Sequence, residues 1–262
     1  MTKTILITGS TDGIGLLTAK QLAAAGHRIL LHGRSAEKLE TAAADIGGTV
    51  EAFNADLSDL SAVKSLASEI CARYDRLDVL INNAGVLKTP RPVLESGLDI
   101  RFVVNTLAPY LLTDLLLPII PKDGRVVNLS SAAQAPVNLN AMLGKGHLSD
   151  MDAYAQSKLA ITIWTREWAK ALPDGPAMIA VNPGSLLASK MVKEGFGVAG
   201  NDLSIGADIL IEAALGPRFA DASGAFFDND SGTFANPHSA ALNAAPAAEV
   251  VETIKTLVRQ HG

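Results

Sequence analysis

At 262 residues the chain is long enough for one large α/β domain or two small ones, and its 48% hydrophobic content suits a sheet covered on both faces. A formal charge of −5 with no long basic run argues against nucleic acid as a partner. The single cysteine, Cys71, excludes an internal disulfide and has no companion for a zinc site.

The N-terminus, MTKTILITGS, passes from a short apolar run straight into glycine and polar residues and does not read as a signal peptide. A strand predicted over 3–8 leads to a helix over 14–26, and a strand over 27–33 to a helix over 35–46. A third strand over 49–56 precedes a helix over 59–74 with Ser58 as its cap. A fourth strand, 76–85, is followed by a long apolar helix over 98–119, and a fifth, 124–131, by a helix over 151–171. Strand 177–184, helix 204–215, strand 224–229 and helix 247–260 complete the series. The apolar stretch LLTDLLLPII (111–120) is broken by Asp114 and Pro118 and is too short to span a bilayer, so a soluble, reducing, cytoplasmic setting without a membrane is expected. The alternation implies a single doubly wound domain over 1–262, with a mainly parallel seven-stranded sheet and helices on both faces. Segments 132–150 and 185–203 follow the C-terminal ends of strands and are candidate substrate loops.

Between the first strand and helix lies TGSTDGIG (8–15). A helix N-terminus attracts phosphate, and glycine lets the backbone approach it closely. Gly9, Ser10, Asp12, Gly13, Ile14 and Gly15 are therefore candidate contacts for a dinucleotide. After the second strand, where an acid would select NAD, HGRS (32–35) offers Arg34 instead. That favours NADP (NADPH) over NAD, with a plain surface charge as the alternative for Arg34. Asp12, standing where a basic residue would help, weighs the other way. Asp56, next to Leu57, is placed either to accept from an adenine amino group or merely to begin the next helix. In NNAG (82–85), Asn82 and Asn83 can hold the turn, and Ala84 and Gly85 bring the backbone near a ribose.

Tyr154 and Lys158, four apart in DAYAQSKLA (152–160), share one helix face. Ser130 and Ser131 close the fifth strand, and Asn105 sits in an apolar helix where a buried amide needs a partner. Taken in order, T-G-x-x-x-G-x-G, N-N-A-G, the mid-helix Asn, Ser-Ser, Y-x-x-x-K and N-P-G resemble the short-chain dehydrogenase/reductase family, strongly over about 1–184. The resemblance implies a Rossmann-type fold in which Tyr154 is the general acid and base and Lys158 lowers its pKa while holding the nicotinamide ribose. It further implies that Ser131 bonds the substrate oxygen, with Ser130 structural, and that Asn105 holds a relay water. Pro183 and Gly184 would meet the nicotinamide end. The 23 positions from Ser131 to Tyr154 and the GRSAEKL after the second strand resemble the retinol-dehydrogenase-like and WW-domain-oxidoreductase-like branch.

One position departs from the family pattern. Ala188 replaces a threonine that would grip the carboxamide, with Ser185 or Ser189 as substitutes. Leu186, Leu187, Met191, Phe196 and Val198 suggest an apolar lid, while His147 reads as a solvated loop residue and Trp164 and Trp168 as core or subunit contacts. The function implied is an oxidoreductase moving a hydride between NADP(H) and a small alcohol or carbonyl substrate, with no metal. The alternative is a catalytically silent NADP(H)-binding sensor or scaffold. The resemblance allows a homodimer or homotetramer, through the helices 98–119 and 151–171.

Overall fold

Strands form where uncharged runs rich in isoleucine, leucine and valine can be buried on both sides. The computed structural model describes residues 1–188, 191, 193, 197 and 199–262. Its strands are β1 (Thr4–Ile7), β2 (Arg28–Gly33), β3 (Val50–Asn54), β4 (Val79–Asn82), β5 (Arg125–Leu129), β6 (Ala177–Asn182), β7 (Phe226–Asp228) and β8 (Thr233–Ala235). They make one sheet in the order β3-β2-β1-β4-β5-β6-β7-β8, parallel except for the last pair. The expected seven strands are thus eight. The extra strand is a three-residue hairpin partner, too short to show a period, and it lays Phe234 against Phe219 and Phe227.

The helices are α1 (Gly13–Ala24), α2 (Ala36–Ile46), α3 (Leu60–Arg73), α4 (Ile100–Phe102), α5 (Ala108–Leu116), α6 (Leu139–Met142), α7 (Asp150–Ala171), α8 (Leu203–Leu215) and α9 (Ala244–His261). A π-helical turn, Val103–Leu107, joins α4 to α5. Asp59, not Ser58, caps α3 by accepting from Ser61 N at 2.8 Å, whereas the Ser58 hydroxyl is tied back to Asp56. Alternate strand residues face opposite layers. Leu6, Leu80 and Val126 pack with α3, α5, α7 and α9, while Ile5, Ile7, Ile81 and Val127 pack with α1, α2 and α8.

Two expectations need correction. Ile100–Ile119 as a whole is long and apolar enough to cross a membrane, although 72% of that stretch is buried inside the fold, as befits a core helix. Most of that stretch is covered within the chain itself. Every residue from 101 to 113 is buried, with α9 packed in the same core cluster as α5 and α7. Loop 132–150 is not all substrate loop either. Asn138 caps α6 through Asn140 N and Ala141 N, and Met142 is fully buried.

The strand order reverses between β1 and β4, which opens a crevice at the C-terminal strand ends. The candidate residues collect there.

Candidate active site

The glycine turn is shaped by a second turn packed against it. Thr8 Oγ1 accepts from Asn83 N and Ala84 N, both at 3.0 Å. Asn83 Nδ2 donates to Thr8 O at 2.8 Å and Gly9 O at 3.0 Å. Gly9 has φ +64°, and a Cβ there would lie 2.9 Å from Ala84 Cα. A Cβ on Gly15 would lie 2.4 Å from Asn83 Nδ2. Side chains are excluded at both positions by close approach, and a bare backbone floor results. Asp12 caps α1 by accepting from Gly13 N at 2.7 Å. His32, fully buried behind the turn, accepts from Gly9 N at 3.1 Å and shares its other nitrogen with Ala55 O at 3.1 Å. Burial holds its pKa down at about 4.

A cleft of about 460 Å³ runs from this turn to Tyr154 and Lys158. It is lined by the predicted Gly9, Asp12, Gly13, Ile14, Gly15, Arg34, Asp56, Leu57, Asn83, Ala84, Gly85, Tyr154, Lys158 and Pro183. Ser10 is fully buried outside the lining, its hydroxyl accepting from His32 N at 3.0 Å, so it braces the turn. Gly184, at φ +122°, is likewise outside the lining. The Asp56 carboxylate accepts from Ser58 N at 2.9 Å, so it does begin the turn before α3 while also facing the cleft. Asn82 does not hold the NNAG turn. Its amide donates to Thr113 and Asn128 on the helix side of the sheet.

The sequence reading missed Ser35 and Lys38, which join Arg34 at one end of the cleft. The signal was present, because Arg34 comes just before the residue that caps α2 and Lys38 lies in its first turn. It also missed Val86, Ile100 and Val104, which give the other end an apolar wall.

At the inner end, Lys158 Nζ donates to Leu129 O at 2.7 Å and lies 5.6 Å from the Tyr154 ring centroid. Burial lowers the lysine pKa to about 8, which leaves it mainly protonated at neutral pH. Tyr154 is not lowered as expected. Burial of its hydroxyl raises the pKa, opposed by a hydrogen bond with Ser131. Loss of solvent around the hydroxyl is the larger effect. Ser131 also accepts from Ala133 N at 3.1 Å and is outside the cleft lining, whereas Ser130, buried against Thr162 at 2.6 Å, belongs to it.

Asn105 does not line the cleft. Its Oδ1 accepts from Val86 N at 2.8 Å, and Nδ2 donates to Val86 O and Ser157 Oγ, both at 2.9 Å. Both amide hydrogens are spent, so only a lone pair is left for the water its expected relay role requires. Ser185 is tied to Asp230 through N at 2.7 Å and Oγ at 2.5 Å, so it does not replace the threonine absent at Ala188. Ser189, Phe196 and Val198 lie outside the described residues. Leu187 is buried, Leu186 is exposed at φ +52°, and Met191 reaches the cleft beside Gly85. His147 is exposed, and Trp164 and Trp168 stack edge-on with Tyr110 as core residues.

A bare glycine floor at a helix start, a basic end and a tyrosine–lysine end fit a dinucleotide lying along the cleft. The profile described as short chain dehydrogenase matches residues 3–196. Human retinol dehydrogenase 13 is 34% identical over 255 residues, covering 86% of this chain and 76% of that protein. Across retinol dehydrogenases 11, 12 and 13 from human, mouse and cattle, the aligned part takes up between 58% and 81% of the relative's own length. Among solved structures, an uncharacterized protein from Mycobacterium paratuberculosis superposes with TM-score 0.82 at 30% identity, covering 98% of this chain and 93% of that one. A metagenomic short-chain oxidoreductase solved in complex with NADP gives TM-score 0.61 at 28% identity, covering 80% and 89%.

Proposed function

Because the chain belongs to the short chain dehydrogenase family and is an NAD(P)-dependent oxidoreductase of the retinol-dehydrogenase-like branch, we propose that it uses NADP(H) to interconvert an alcohol and a carbonyl compound with Tyr154 as proton donor and acceptor. The carrying observation is the meeting of Tyr154 and Lys158 at the inner end of a cleft that begins at the glycine turn. When bound, the nicotinamide supplies or takes the hydride. The protein's own part is to hold and move a proton. The Tyr154 hydroxyl carries it in reduction, with the nearby Ser131 hydroxyl favouring its ionised form and available to the substrate oxygen. Lys158 stays protonated beside the ring, so that positive charge is at hand when the phenolate forms. Val86, Val104, Ile100 and Met191 favour an apolar substrate body.

NADP over NAD is supported by Arg34, Ser35 and Lys38 at the outer end of the cleft. The similar metagenomic oxidoreductase was solved with that cofactor.

The test is a panel of alcohols and carbonyls with both cofactors, followed by the absorbance of reduced nicotinamide. Tyr154→Phe is expected to lower kcat by about 100-fold or more. The double change Arg34→Ala, Lys38→Ala is expected to weaken NADPH binding about tenfold and leave NADH unchanged. Full turnover in Tyr154→Phe would remove that residue from the chemistry, and tighter binding of NADH than NADPH would remove the cofactor assignment. Binding without any turnover would instead favour a dinucleotide-binding sensor.

A further inference from the structure

Arg101 is 1% exposed, an unusual place for a guanidinium. It grips Asp99 at two points, Nε to Oδ1 at 2.8 Å and Nη2 to Oδ2 at 2.5 Å. Its Nη1 reaches Asp150, the first residue of α7. Asp99 in turn caps α4 by accepting from Arg101 N at 2.9 Å. Arg101 stands four residues ahead of Asn105, and Asp150 four residues ahead of Tyr154. The charged group therefore ties together two helices one turn away from Asn105 and from Tyr154, of which Tyr154 lines the cleft. Further along, the same helices are joined by Asn105 Nδ2 to Ser157 Oγ and by Thr106 Oγ1 to Ser157 O, both at 2.9 Å.

A buried ion pair is a poor way to gain stability, because apolar residues of similar volume often do as well. What a planar guanidinium adds is direction, since its fork fixes both distance and angle to two carboxylates. We infer that Arg101, acting through Asp150, is a positioning residue that sets where α7 presents Tyr154 relative to the Asn105 helix. This rests on the reading of Tyr154 as proton donor. The glycine turn and the basic end of the cleft lie on other elements, which Arg101 does not touch.

The experiment compares wild type, Tyr154→Phe, Asp150→Asn, Arg101→Lys and Arg101→Met. Asp150 is 43% exposed, so Asp150→Asn keeps the comparison open should Arg101→Met fail to fold. In Asp150→Asn and Arg101→Lys, kcat is expected to fall about tenfold while the Kd of NADPH and the KM of the best substrate stay within about threefold. Asp150→Glu, which keeps the charge, is expected to recover part of the loss. Should both variants keep wild-type kcat, even with a lowered Tm, Arg101 has only a structural role and the inference is wrong. Absence of turnover in wild type, or full turnover in Tyr154→Phe, would overturn the functional reading and this inference together.

Discussion

His32 is caught between two main-chain groups, and its charge state is bound up with the shape of the glycine turn. To accept from Gly9 N it must be neutral at Nδ1, and it then donates from Nε2 to Ala55 O. Protonation would break the first contact. The folded-state pKa of about 4 lies below the ordinary 6.5, so between those values the unfolded chain binds the extra proton. Stability is therefore complete above pH 6.5 and falls as pH drops toward 4, by about 1.4 kcal/mol per unit. His32→Gln can both accept and donate without titrating. Urea unfolding at pH 6.5 and 5 is expected to show wild type losing about 2 kcal/mol more than the variant. Parallel losses would show that this histidine does not titrate as its burial dictates. Nothing in the sequence pointed to it, because a lone histidine inside an apolar strand looks like any core residue. Tyr154 and Lys158 were legible because helical spacing alone puts them on one face. The direction of the tyrosine's pKa was not, since it depends on how far the fold removes the hydroxyl from solvent.

At the scale of elements, the start of α1 is shaped by contact more than by backbone conformation. Gly15 lacks a positive φ, yet a Cβ there would also meet Gly9 O at 2.5 Å. Gly26, at the end of the first βα unit, has φ +85° with nothing within 4 Å. Gly15→Ala is therefore expected to displace the Asn83 turn, weakening NADPH about tenfold and costing about 2 kcal/mol. Gly26→Ala is expected to cost about 1 kcal/mol through strain alone, with NADPH affinity unchanged. Calorimetry and cofactor titration separate the two cases, and equal affinities in both variants would contradict the packing account. The order of strands and helices was readable because each long element repeats its apolar period several times. The π-helical turn, α6 and β8 are three to five residues long and carry no period, so only tertiary contacts define them.

The whole molecule is closed by its last helix. The stripe Ala247, Val250, Val251, Ile254, Leu257 and Val258 is buried along α9 at helical spacing. Its sequence showed that one face must be covered but not what covers it. The partner is the layer of α3, α5 and α7, which includes Tyr110 and Trp164. That layer would be the subunit face implied by family resemblance, and in this chain α9 occupies it. Three outcomes follow from one arrangement. Light scattering of wild type is expected to return the mass of a single chain, 27.3 kDa. Ile254→Ala removes fully buried methyl groups and is expected to cost about 3 kcal/mol. Ile254→Asp places a charge in the same seam and is expected to loosen α9 and expose the layer beneath, giving concentration-dependent association absent from wild type. A stable wild-type dimer that Ile254→Asp leaves intact would mean that subunits meet elsewhere and that α9 is not what keeps this face to itself.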